Sequence, residues 1–137
     1  MSWQSLELML ELTRKCRVLI IEDHVSFALR LRETLRQYGH QIHSYSGIER
    51  VDQRFFGIDP HHAGDPSEIE LAQYEVCFLD HYFAGTDFNG STLLGVLGHY
   101  PIRVCGMSSV DSANESMRRH GALTSIRKDK LDQLLTP

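Results

Sequence analysis

The sequence predicts a single α/β domain built on a parallel β-sheet with helices on both faces. Strand-like apolar runs alternate with amphipathic runs along the chain, which is the pattern of such a sheet. Charged residues follow several of the apolar runs, and the 137 residues are 42% hydrophobic and 23% charged, which suits one ordinary core. We predict a domain over residues 16–137, preceded by a helical extension over residues 1–15.

The first part of the chain is predicted to contain two helices and two strands. Apolar residues at helical spacing predict a helix over 3–13, and the run RVLII predicts a central strand over 17–21. A second amphipathic helix is predicted over 24–38, because Gly39 offers a natural stop. The segment QIHSYS (41–46) alternates in polarity like an edge strand.

The middle of the chain carries weaker signals. We predict a helix over 48–56, a surface loop over 57–66, where two glycines and two prolines occur, and a short helical turn within 67–74. The loop includes His61 and His62, which have no partners at the spacing of metal ligands.

The last part of the chain returns to the alternation of strands and helices. Ser112 and Glu115 have the spacing of a capping box at the start of one of these helices. The predicted elements are strands at 76–80, 102–108 and 123–127, and helices at 91–100, 112–120 and 129–135.

Composition excludes several classes of protein. A net charge of −4 argues against a nucleic-acid surface, and the longest apolar runs are far too short to span a membrane. No signal peptide is evident at the N-terminus. The cysteines Cys16, Cys77 and Cys105 are odd in number and widely spaced, so we expect reduced thiols and a cytoplasmic protein.

Charged residues close three of the predicted strands. Glu22 and Asp23 follow the first strand, Asp80 ends the third, and Lys128 follows the fifth. Because the carboxyl ends of parallel strands meet at one edge of a sheet, we expect these side chains to converge. Carboxylate oxygens are ligands that Mg²⁺ prefers, and an ammonium group suits a phosphate oxygen. The sequence therefore predicts a site for Mg²⁺ and phosphate.

A carboxylate in such a site can act as a nucleophile toward phosphorus and form an aspartyl phosphate. Asp80 is the candidate, and Asp87 is its rival, although the surrounding TDFNG is typical of a turn in which aspartate is expected. A hydroxyl at the end of the fourth strand could bond a phosphoryl oxygen, and both Ser108 and Ser109 fit, with Ser108 preferred. The structural alternative for Asp23 is an N-cap of the next helix.

These motifs, in this order, resemble the receiver domain of two-component response regulators over residues 16–135. GALTSIRK (121–128) resembles the family's run into its lysine. The resemblance implies a flavodoxin-like five-stranded sheet of order 2-1-3-4-5. It also implies the following site: Glu22 and Asp23 as the acidic pair, Asp80 as phosphoacceptor, Tyr82 as a metal ligand through its backbone carbonyl, Ser108 as switch hydroxyl and Lys128 as the conserved-type lysine.

The same resemblance implies a function. A histidine kinase or phosphotransfer protein would phosphorylate Asp80 in a Mg²⁺-dependent reaction, and the face formed by the fourth helix, fifth strand and last helix would change its affinity for a downstream protein. The chain would not be an enzyme beyond its own phosphorylation and dephosphorylation. Neither nucleic acid nor membrane is an expected partner.

The chain also departs from the family pattern. Ala84 stands where proline is usual, Ser125 stands where an aromatic residue is frequent, and Asp129 replaces the proline after the lysine. The glycine of the next helix comes late, extra length lies near 57–70, and the last helix is short. These departures support an alternative, a pseudo-receiver that binds proteins independently of phosphorylation.

A second rival is a Mg²⁺-dependent phosphohydrolase, which generally needs a second acid where Tyr82 stands. The N-terminal helix has two interpretations as well. It either packs on its own domain, covering surface that the short last helix leaves bare, or forms a homodimer contact through Trp3, Leu6 and Leu10.

Overall fold

The computed structural model describes residues 1–59 and 67–135. In chain order, its elements are α1 (Trp3–Leu10), β1 (Arg17–Ile21), α2 (Val25–Gln37), β2 (Gln41–Tyr45), β3 (Gly47–Val51), β4 (Arg54–Ile58), β5 (Ser67–Ile69), a 3-10 turn (Leu71–Gln73), β6 (Val76–Asp80), α3 (Gly90–Leu97), β7 (Arg103–Ser108), α4 (Asp111–Arg119), β8 (Thr124–Arg127) and α5 (Lys128–Leu134). Within these ranges, no helix combines the length and apolar character needed to cross a bilayer.

The central sheet has five parallel strands in the order β2-β1-β6-β7-β8. Counted along the chain, this is the predicted order 2-1-3-4-5, and the flavodoxin-like fold is confirmed. The middle strands consist of apolar side chains because both of their faces are covered: every residue of β6 is buried, as are Val18–Ile21 of β1. The residues of β2 are exposed or half-buried, as expected for an edge strand.

Two hydrophobic clusters cover the faces of this sheet. On one face, α1, α2 and α5 pack together, and on the other α3 and α4 pack beside strands β3–β5. Cys105 belongs to the first cluster and Cys77 to the second, so the two buried thiols lie on opposite faces. Both are fully buried core residues.

The helix predicted over 48–56 is wrong. Residues of this segment form β3 and β4, which pair antiparallel around a turn at Asp52, and β5 adds a third strand. Asp52 adopts a left-handed backbone (φ 57°), which aspartate tolerates better than most residues. We call strands β3–β5 the inserted sheet, because along the chain they lie between β2 and β6 of the central sheet.

The prediction over 67–74 is correct only for the 3-10 turn, because Ser67–Ile69 is a strand. The predicted loop at 57–66 begins inside β4, and its residues 60–66, with His61 and His62, lie outside the described part of the chain. The predicted capping box of α4 is also absent. This helix begins at Asp111 behind Val110, which has no side-chain cap.

The N-terminal helix α1 packs on its own domain. Trp3, Leu6 and Leu10 are buried in the cluster that contains Leu131 of α5. The Arg103 Nε donates a hydrogen bond to the Leu10 carbonyl at 2.7 Å, which ties the end of α1 to β7. The three apolar side chains are therefore used inside the chain, and the dimer contact predicted through them is not available to the folded domain.

Candidate functional site

The carboxyl edge of the central sheet brings together charged residues that are far apart in the chain. Glu22 and Asp23 follow β1, Asp80 is the last residue of β6, and Lys128 follows β8. One carboxylate oxygen from each of the three acids lies within 4.8 Å of the others. This convergence follows from the parallel sheet, because each strand delivers its last residue to the same edge.

Lys128 bridges two buried carboxylates. Its Nζ lies 2.8 Å from the Glu22 Oε1 and 3.1 Å from the Asp80 Oδ2. Glu22 and Asp80 are only 2% and 3% exposed, so both would be costly to hold as unpaired charges. One ammonium group offsets one of the two carboxylates, and Asp23 adds a third, exposed acid. The cluster therefore attracts a further cation.

The remaining acceptor atoms show where a cation would fit. The Asp80 Oδ1 accepts the His81 N–H at 2.8 Å, and the Glu22 Oε1 also accepts the His24 N–H at 3.0 Å. The Glu22 Oε2 is buried and has no hydrogen-bond partner among the described residues. A buried, unpartnered carboxylate oxygen next to two further acids suits a hard divalent ion such as Mg²⁺.

Burial shifts the acid–base behaviour of this cluster. Desolvation, with the nearby Asp80 charge, raises the pKa of Glu22 to about 7. Burial also raises the pKa of Asp80, although Lys128 opposes the shift. Burial alone would lower the pKa of Lys128, but the hydrogen bond and charge of Glu22 raise it overall, so the ammonium stays charged. Near neutral pH, Glu22 is therefore the group that binds a proton when no cation is present.

We expect the contribution of Glu22 to stability without Mg²⁺ to fall as pH rises from 5 to 8. The Glu22 pKa of about 7 lies above its ordinary value of 4.5, so between these values the folded state binds the proton more tightly than the unfolded state. The full shift corresponds to about 3 kcal/mol of unfolding free energy. Urea unfolding at several pH values measures it, and Glu22→Gln is the control. An identical pH profile in that variant would contradict the assignment.

The other predicted site residues lie around the cluster. Met107 of β7 pairs with Asp80, and Ser108 follows it as the last residue of the strand. Ser108 is buried, and its Oγ accepts the Val110 N–H at 3.1 Å, whereas Ser109 is exposed. The side chain of Tyr82 is 62% exposed in the loop after Asp80. Ser108 and Ser109 thus lie at the carboxyl end of β7, the strand that pairs with the strand of Asp80.

Asp87, the rival acceptor, lies elsewhere in the same loop. Its Oδ2 accepts the Arg50 N–H of β3 at 2.8 Å, and its side chain is exposed. It is absent from the cluster of Glu22, Asp23 and Asp80. Its contact with the inserted sheet indicates a structural role, as the turn-like sequence around it predicts.

Sequence reasoning missed His81. Its N–H holds the Asp80 carboxylate, its carbonyl accepts the Gly90 N–H at 2.7 Å, and its Nε2 lies 3.1 Å from the Ser91 Oγ. A Cβ on Gly90 would lie 2.6 Å from the Asp80 carbonyl oxygen, so only glycine allows α3 to approach this closely. Gly90 is the sequence feature that could have indicated this close packing, because no sequence pattern distinguishes a buried loop histidine such as His81 from an exposed one.

Comparisons with known structures agree on the fold. A two-component response regulator from Clostridium difficile superposes with a TM-score of 0.58 and 14% identity over 88% of this chain and 95% of that chain. A signal receiver domain of a response regulator from Mycobacterium tuberculosis superposes with a TM-score of 0.56 and 19% identity, over 85% of this chain and 86% of that chain.

A third similar structure carries ligands. It is a response regulator protein from Burkholderia pseudomallei with a phosphorylated aspartic acid, calcium ion and citrate, and it gives a TM-score of 0.57 and 14% identity over 90% of this chain and 67% of that chain. No protein-family model and no curated protein matches the chain. The chain therefore has the fold of response regulator receiver domains, and the inserted sheet and α1 are its departures from the simple alternating pattern.

Proposed function

We propose that this protein is a phosphoacceptor receiver domain of two-component signalling, which acts in the cytoplasm and is phosphorylated on Asp80. The observation that carries the proposal is the pairing of the buried Asp80 carboxylate with Lys128 beside two further acids, at the carboxyl edge of a receiver fold. A histidine kinase or phosphotransfer protein would be the donor, and a downstream protein would respond. No external substrate is turned over.

In the proposed reaction, an Asp80 carboxylate oxygen attacks the phosphorus of a phosphohistidine. A new O–P bond forms while the N–P bond breaks, and the imidazole leaves with the electron pair of that bond and takes up a proton. Lys128 lies 3.1 Å from the Asp80 Oδ2, so its ammonium can stabilise negative charge on the transferring group. The His81 N–H orients the other carboxylate oxygen.

Mg²⁺ fits the oxygen set of this site. Glu22, Asp23 and Asp80 would hold it, together with the Tyr82 backbone carbonyl. When bound, the ion would offset the negative charge of the incoming phosphoryl group. The Burkholderia pseudomallei structure contains a phosphorylated aspartic acid and a calcium ion, which supports this chemistry for the same fold.

Replacing Asp80 should abolish phosphorylation. Incubated with Mg²⁺ and acetyl phosphate, the wild type is expected to gain one phosphoryl group, and Asp80→Asn none, because the amide is not a nucleophile toward phosphorus. Intact mass spectrometry measures the adduct. Asp87→Asn is the matched control, since it removes a carboxylate from the same loop outside the acidic cluster. An adduct retained in Asp80→Asn and lost in Asp87→Asn would overturn the assignment.

A second candidate function is a pseudo-receiver that binds proteins without phosphorylation. The observation that favours it is Ser125, which lies on β8 where the resemblance leads one to expect an aromatic switch residue. The same experiment separates the two functions. A folded wild type that gains no phosphoryl group with either acetyl phosphate or a donor kinase would favour the pseudo-receiver.

A further inference from the structure

The loop after Asp80 is attached to the inserted sheet by backbone hydrogen bonds. The Ala84 N–H donates to the Ser46 carbonyl at 3.0 Å, and Ala84 forms an isolated parallel bridge with Gly47. Three residues later, the Asp87 Oδ2 accepts the Arg50 N–H at 2.8 Å. The outer edge of β3 is therefore occupied by the same loop that begins at the phosphoacceptor.

The loop and β3 are in direct backbone contact at this attachment. A Cβ on Gly47 would lie only 1.8 Å from the Ala84 carbonyl oxygen, so the two backbones are in direct contact. Gly85 turns the loop with φ 108°, and a Cβ there would lie 3.0 Å from the Ile48 carbonyl oxygen. Since close-packed backbones are hard to compress, a displacement of Ala84 must move β3 or break its contacts.

Side chains reinforce the backbone contacts. The Phe88 ring lies 6.2 Å from the Phe55 ring, measured between centroids, and the Arg50 guanidinium lies 5.6 Å from the centre of the Phe88 ring. Behind these residues, β3 pairs with β4 along its whole length and β4 pairs with β5. The inserted sheet can therefore respond as one hydrogen-bonded unit.

The opposite side of the site is joined to Asp80 and its loop through side chains. The Lys128 Nζ of α5 lies 3.1 Å from the Asp80 Oδ2, and the Ser91 Oγ lies 3.1 Å from the His81 Nε2 and 2.8 Å from the Ser116 Oγ of α4. Ser125 on β8 has no ring that could move toward the site, and its Oγ accepts a hydrogen bond from Arg118 of α4. The Ser108 Oγ is already used by the Val110 N–H. The face that the family resemblance selects for switching is thus joined to the site by side chains, which can change rotamer, whereas the inserted sheet is joined to the loop of Asp80 by direct backbone contact.

We propose that the inserted sheet is the surface that changes when Asp80 is phosphorylated, with the loop 81–89 as the connection. A phosphoryl group adds about −1.5 to −2 charges and three acceptor oxygens at the start of this loop. The His81 N–H, which donates to the Asp80 Oδ1, is the first backbone N–H of the loop that meets the added charge. This inference rests on the proposed function, because it describes what phosphorylation of Asp80 does.

Hydrogen exchange of the full chain tests it, with beryllofluoride and Mg²⁺ as the phosphoryl mimic. Fluorine NMR first reports whether the mimic is bound, independently of exchange. With the mimic bound, we expect amide exchange of peptides within 46–58 to change by about fivefold, and more than in peptides within 116–134. Exchange in the free protein is the reference.

Two variants sharpen the test. Asp87→Ala removes the acceptor of the Arg50 N–H but leaves the contacts of Ala84, so it should still bind beryllofluoride and should show a smaller exchange change within 46–58 than the wild type. Asp111→Ala is the matched control, because it removes an exposed carboxylate that pairs with Arg127 on the opposite side. That variant should keep the full response of the inserted sheet.

The failures are distinguishable. Absence of a bound fluorine signal in the folded wild type would overturn the proposed function and this inference with it. A bound signal with exchange changes confined to 116–134 would overturn the inference and leave the phosphoacceptor function standing. An undiminished response of 46–58 in Asp87→Ala would overturn the role given to the Asp87–Arg50 contact, because the contacts of Ala84 would then transmit the whole change.

Discussion

Leu6→Ala is expected to destabilise the domain by about 3 kcal/mol, within the range for leucine removed from a packed core. Leu6 lies on α1 and is fully buried in the cluster beneath α2 and α5. Leu8 on the same helix is 70% exposed, so Leu8→Ala is the matched control and should change stability by less than about 0.5 kcal/mol. Urea unfolding of both variants measures the difference.

The size of this effect follows from the place of α1 in the core. Three of its side chains are buried, and each contributes about 1.5–3 kcal/mol by burial, against a total stability of about 5–15 kcal/mol for a typical domain. The final helix α5 spans only Lys128–Leu134, and α1 shares its hydrophobic cluster. If Leu6→Ala lowered the free energy of unfolding as little as Leu8→Ala does, α1 would be a loosely packed extension and not part of the core.

The central sheet could be predicted from the sequence because burial leaves a strong signature. The predicted strands 17–21 and 76–80 have the observed bounds, since each contains a run of four apolar residues that an acid follows. The inserted sheet could not be predicted in this way. Its apolar residues Ile48, Val51 and Phe55 have helical spacing, and their pairing into strands depends on packing against the second face of the sheet.

The charged site could also be predicted from the sequence, because the predicted sheet places its residues at one edge. Glu22, Asp80 and Lys128 each come directly at or after a strand end, so topology alone brings them together. The contacts of His81 and Asp87 depend instead on the path of a loop, which the sequence does not encode by periodicity. That loop also departs from the family pattern, because Ala84 stands where proline is usual.

Lys128→Met is expected to produce the largest loss at the site, about 3–5 kcal/mol of unfolding free energy at pH 8 without Mg²⁺. The substitution leaves Glu22 and Asp80 buried without the ammonium that lies 2.8 and 3.1 Å away. Lys130→Met is the matched control, because Lys130 is an exposed lysine of the same helix. Urea unfolding with and without Mg²⁺ compares the two variants.

The conditions that restore stability identify the physical cause. Without the ammonium, the pKa of both carboxyl groups should rise further, so the folded state binds protons more tightly and the loss should shrink as pH is lowered from 8 to 5. Mg²⁺ should restore part of the stability at pH 8, since a cation at the acidic cluster replaces the missing charge. A loss that neither protons nor Mg²⁺ reduce would instead indicate that Lys128 acts through packing, for example against the Phe27 ring 5.9 Å from its Nζ.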